Sequence, residues 1–200
     1  MATLPTIPSF SYQETPTLTK MQNLSGAVSF VSGLPIMISL KTNTNQSVAA
    51  NTATAVQWLV SECDSDSMHS TSTNTSRLTA VTQGYYRLHT VLALSFSASK
   101  EYQAYFRQTT GSSNPLGAGV QQTFGGDAGE SPASASFSTM CVGLRSLTPC
   151  LYAGDYVEVV VQVAAAVNLV YNFGNTTFTD NAGSADGACC LYGYYDCEGP

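Results

Sequence analysis

Between residues 82 and 97 the chain reads TQGYYRLHTVLALSFS, and its bulkiest apolar side chains recur at every second position. Tyr86, Leu88, Thr90, Leu92, Leu94 and Phe96 fall on one side of an extended chain, because side chains alternate across a strand with period two. The other side carries Tyr85, Arg87, His89, Val91, Ala93 and Ser95, polar at first and then small and apolar. One apolar face and one mixed face predict a strand in the middle of a β-sandwich, with the mixed face turned towards a partner subunit.

The same period returns elsewhere. Residues 101–109 place Tyr102, Ala104 and Phe106 inward, with Gln103, Tyr105 and Arg107 outward. Residues 156–163 set Val157, Val159, Val161 and Val163 against Tyr156, Glu158, Val160 and Gln162. Shorter strands are expected at 35–40, 47–50, 55–60, 77–81, 137–147, 168–173 and 188–195. Residues 61–76 and 110–136 are rich in Ser, Thr, Gly and Ala and read as loops. The second is long for an internal loop, and loops of that length are usually functional or mobile. About ten short strands at regular spacing predict an all-β jelly-roll sandwich filling residues 35–200.

Residues 1–34 break this pattern. Pro5, Pro8 and Pro16 favour an extended arm. Leu18, Met21, Leu24, Val28 and Val31 then recur at steps of three and four, which predicts a short helix. Thr15 suits its cap and Pro16 its first turn, while Gly33 and Pro35 end it. Such a helix either lies on its own sandwich or, through Pro16, Leu18, Met21, Leu24 and Val28, anchors the chain to another protein or meets its copies in an oligomer.

Composition narrows the function. Hydrophobic residues make up 44% of the 200 and charged residues only 10%, so a packed β protein is expected rather than a disordered chain. Seven basic and thirteen acidic residues give a net charge of −6, with no basic cluster to attract nucleic acid. The apolar run at 157–167 is too short to span a membrane and holds Glu158 and Gln162. Residues 1–30 lack a basic start followed by an apolar block, so no signal peptide is read and assembly in the cytoplasm is expected. The six cysteines show no zinc spacing. Core fillers and surface thiols are expected, with pairs such as Cys190–Cys197 or Cys141–Cys150 left open.

Candidate chemistry is sparse. A nucleophile needs a base beside it. The only histidines are His69, in a Ser/Thr/Asp-rich loop, and His89, in mid-strand. No Gly-x-Ser-x-Gly elbow is present, and Gly125-Gly126 is not followed by a phosphate-loop Lys-Ser/Thr. Glu62, Asp64 and Asp66 alternate as hard oxygen ligands for calcium would, yet lack the glycine and terminal glutamate of the helix-loop-helix site. Solvated loop charge is the expectation for them, and for Asp180 and Asp186. Asp155 sits in a Gly-Asp turn. Outward tyrosines suit an interface or stack on sugars. No enzyme activity, cofactor or metal is expected.

Several segments, taken in order, resemble the globular head shared by the tumour necrosis factor superfamily and complement-type heads. They are Arg77-Leu78-Thr79, then Gly84-Tyr85-Tyr86-Arg87-Leu88, then Leu151-Tyr152-Ala153-Gly154-Asp155-Tyr156-Val157, and finally Tyr192-Gly193-Tyr194. The long segment 110–136 and the Cys189-Cys190 pair depart from that pattern. The resemblance implies a ten-strand jelly roll and a homotrimer, with Tyr85, His89, Val91, Tyr105 and Tyr194 at the subunit interface. The arm, PSFSYQETPTLTKMQNLSGAVSFV, is similar to the opening of many tailed-phage virion proteins through Glu14, Pro16, Thr17, Lys20, Asn23 and Leu24. That similarity implies a virion protein, a decoration or minor capsid knob bound to the major capsid protein or to tail proteins. The alternative is a tail-tip or fibre knob that recognises a host surface glycan through the 110–136 segment.

Overall fold

In the computed structural model the described residues are 37–96, 99–130, 139–170 and 189–197. They form an all-β jelly roll of two antiparallel sheets, and no helix lies among them. The expected anchor helix and arm, with Pro16, Leu18, Met21, Leu24 and Val28, lie outside the described residues.

The first sheet is organised around β6 (Tyr85–Ser95). On one side β6 pairs along its length with β9 (Thr139–Leu147). On the other it pairs with β12 (Cys190–Cys197) and then with β11 (Val167–Leu169). Beyond β12 come β1 (Met37–Lys41) and β4 (Val60–Asp64), and β2 (Gln46–Val48) lies beyond β11. The second sheet is centred on β10 (Tyr156–Val163) and β7 (Glu101–Thr109), paired over eight residues from Tyr156↔Thr109 to Val163↔Tyr102. It is completed by β3 (Thr54–Ala55), β5 (Arg77–Thr79) and β8 (Gln121–Glu130).

The period-two reading holds where both sheets meet. Tyr86, Leu88, Leu92 and Leu94 of β6 face Ala104 and Phe106 of β7 and the valines of β10 in one core that also buries Trp58. β10 is buried on both faces: its outward Val160 is fully covered and Glu158 is 6% exposed. Over Glu158 the outer face is covered by Ser76, Arg77 and Arg107 from the neighbouring segments.

Three expectations need correction. Residues 110–136 are not one loop, because β8 runs from Gln121 to Glu130 along β7. The one large apolar side chain of β8, Phe124, stacks on Phe106 at 5.5 Å. The backbone pairing offered by the β7 edge outweighs the weak propensity of a Gly-rich segment. Residues 61–76 are not loop throughout either, since β4 extends to Asp64 along β1. The strand expected at 55–60 is instead a crossing. Val56 N still bonds Val159 O in the second sheet, whereas Leu59 N bonds Lys41 O beside the first.

A candidate association face

β6, β9 and β12 present their outward side chains as rungs set by register. Tyr194 lies beside Arg87, which lies beside Leu147. One rung further, Tyr192 lies beside His89, which lies beside Arg145. The rings of His89 and Tyr192 stack with centroids 6.5 Å apart. These six side chains line a groove of about 630 Å³. Leu147, Tyr192 and Tyr194 are 46%, 44% and 48% exposed, which is high for large apolar groups on the flat of a sheet. Gly193, between the two tyrosines, faces the core: a Cβ there would meet Leu88 Cδ2 at 2.8 Å and Ile38 Cγ2 at 2.9 Å. The glycine lets β12 lie close over the core and hold both tyrosines outward.

The electrostatics of the groove are cationic in an acidic chain. Arg87 Nε donates to Asp196 Oδ1 at 2.7 Å, so its charge is answered locally. Arg145 has no recorded carboxylate partner among the described residues.

The structure brings four of the five expected interface residues onto this side of β6 and β12: Tyr85, His89, Val91 and Tyr194. Tyr105 is elsewhere, on the outer side of β7 in the second sheet. Sequence reading missed Arg145, Leu147 and Tyr192 as members of the groove. The β9 pairing that delivers the first two could not be read from an isolated strand.

The remaining candidates settle into structural places. Both ring nitrogens of His69 lie 2.9 Å from a backbone carbonyl, Nδ1 from Arg77 and Nε2 from Trp58. Asp64 accepts from the backbone N–H groups of Met68 and His69 at 2.9 and 2.8 Å. Glu62 pairs with Lys41. Among the described residues no three His, Cys, Asp or Glu side chains group as a metal site. Asp155 is fully buried and accepts four N–H donors: Gly111 N at 2.6 Å, Asn114 Nδ2 at 2.7 Å, Gln108 Nε2 at 2.9 Å and Tyr152 N at 3.0 Å. Cys141 and Cys190 are thiols, so neither open disulfide is present. Cys189 is a core residue whose Sγ accepts from Ala93 N at 3.2 Å. Burial pushes its thiol up to about 11.

No protein-family model and no curated protein matches the sequence. Among solved structures, murine APRIL superposes with a TM-score of 0.54 at 12% identity, covering 82% of this chain and all of that one. Eiger TNF from S. frugiperda superposes with a TM-score of 0.52 at 13% identity, covering 84% of this chain and 94% of that one. The fold is the tumour necrosis factor jelly roll. At such identities the likeness is one of fold alone. It bears out the jelly-roll reading made from Gly84-Tyr85-Tyr86 and Gly154-Asp155.

Proposed function

We propose that this chain is a non-enzymatic structural protein whose copies assemble as a homotrimer through the β6–β9–β12 face. The observation that carries the reading is the open aromatic groove. Tyr192 and Tyr194 stand out from the interior strand β12, with Leu147 beside them at the end of β9, and a monomer gains nothing by exposing them. Aromatic and arginine side chains are the groups enriched where proteins meet. The non-enzymatic reading is supported by His69, whose two ring nitrogens each lie against a backbone carbonyl.

Within that reading the particle is a tailed-phage virion, and the knob is a decoration or minor capsid protein. Residues 1–34 hold it to the major capsid or tail proteins through Pro16, Leu18, Met21, Leu24 and Val28. The sequence similarity of the arm supports this placing.

Removing residues 1–34 tests it. The truncated chain is expected to keep its association state and to lose incorporation into particles. Particles that still take up the truncated chain would overturn the anchoring role. Full-length chain that enters no phage particle would overturn the virion setting.

A further inference from the structure

On the second sheet, away from the groove, residues 111–120 between β7 and β8 curl against the 149–155 turn between β9 and β10. A cleft of about 250 Å³ opens between them, lined by Gln108, Asn114, Gln122 and Tyr152 with prolines at 115 and 149 among its walls. We infer that this cleft is a binding site for a single neutral sugar ring, complete within one chain and independent of any trimer.

Three features carry the inference. The first is rigidity. Gln108 Nε2, Asn114 Nδ2 and the Tyr152 backbone all donate to the one buried carboxylate of Asp155. The loop itself is closed by Thr110, whose N–H bonds Val120 O at 2.9 Å and whose Oγ1 accepts from Val120 N at 2.8 Å. Gly111 fits against Gly154 so closely that a Cβ would lie 2.5 Å from its carbonyl. A site held this way loses little freedom on binding.

The second feature is an unanswered acceptor. Gln108 is 2% exposed, and its Nε2 is fixed on Asp155, which leaves Oε1 as the free end of the amide. That oxygen has no hydrogen-bond partner among the described residues. A buried acceptor without a donor is costly, and Gln108 is one of the residues lining the cleft, so a hydroxyl that reaches its amide would supply the missing donor.

The third is the chemistry of the walls. No charged side chain lines the cleft among the described residues. A phosphate or carboxylate therefore has no cation to pair with. A tyrosine ring and prolines beside amide groups match a sugar, which has an apolar C–H face and a rim of hydroxyls. The volume lies below the ~300–1,000 Å³ of pockets for drug-sized ligands, so one ring fits rather than a chain.

Saturation-transfer NMR on the full chain tests this with glucose, galactose and N-acetylglucosamine, each at about 10 mM, several times a ~1 mM Kd. Glucose 6-phosphate serves as the charged control. At least one neutral sugar is expected to give signal, with the phosphate much weaker. Tyr152→Ala and Gln122→Ala are each expected to weaken binding about tenfold, the value of one lost contact. Tyr105→Ala, outside the cleft, is expected to leave binding unchanged. Gln122 lies on the exposed strand β8, so its variant decides the matter should Tyr152→Ala fail to fold. Silence from all three sugars, equal binding of the phosphate, or signal that persists in the folded cleft variants would overturn the site.

Discussion

The two sheets finish their outer faces in opposite ways. On the second sheet, Glu158 accepts from Ser76 Oγ and from Arg107 Nη2, each at 2.7 Å, and Arg77 lies 3.9 Å from the same carboxylate. Arg77 also lies 4.1 Å above the Tyr156 ring. Charge answers charge within one chain, and only 6% of Glu158 stays exposed. On the first sheet, Arg87 pairs with Asp196 and Tyr192 stacks on His89, yet Leu147, Tyr192 and Tyr194 stay 46%, 44% and 48% exposed. The proposed association uses the face whose large apolar side chains are the less covered.

That contrast can be broken most sharply at Glu158. Glu158→Ala leaves Arg107 without its carboxylate in a largely buried setting and is expected to cost about 3–5 kcal/mol in urea unfolding. A loss no greater than that of a surface substitution would mean that the face is not closed by this carboxylate. Arginine at the open face should act on association instead. Tyr194→Arg and Tyr192→Arg are each expected to weaken self-association by about 2 kcal/mol, the scale of an interface aromatic, while circular dichroism stays unchanged. Gly193→Ala probes the layer between the faces. The close contacts with Leu88 and Ile38 predict a loss of about 1–2 kcal/mol in the same unfolding experiment.

The smallest expected effect is alkaline. Burial raises the Cys189 thiol from its ordinary 9.0 to about 11, and burial raises Tyr86 as well. The folded chain therefore favours both groups in their protonated form. The stability this confers is whole below pH 9 and is lost as pH rises towards about 11. The unfolding midpoint should fall across that window in wild type and fall less in Cys189→Ala.

How legible this was depended on burial. β6, β7 and β10 lie between layers, so burial wrote a period of two into Tyr86–Leu94, Tyr102–Phe106 and Val157–Val163 that the sequence displays openly. β8 is exposed along most of its length, and β4 holds only Ser61, Glu62 and Cys63 between its ends. Neither carries a hydrophobic pattern, because pairing with a neighbour defines them, and a neighbour is not visible in the local sequence. The groove follows the same logic. His89 and Arg87 are readable as the mixed side of a patterned strand. Arg145 and Leu147 reach it only through the β6–β9 register. Tyr105 looked equivalent to Tyr85 because alternation gives an outward side without saying which sheet it belongs to.

The claim beneath all of this is that the β6–β9–β12 face is covered by copies of the same chain. Sedimentation equilibrium of the full-length protein over a wide concentration range measures it directly. The expected mass is three times the 21.1 kDa chain, falling towards one chain in Tyr194→Arg. A single-chain mass for the wild type at every concentration, or an unchanged trimer in the Tyr192→Arg, Tyr194→Arg double variant, would contradict it.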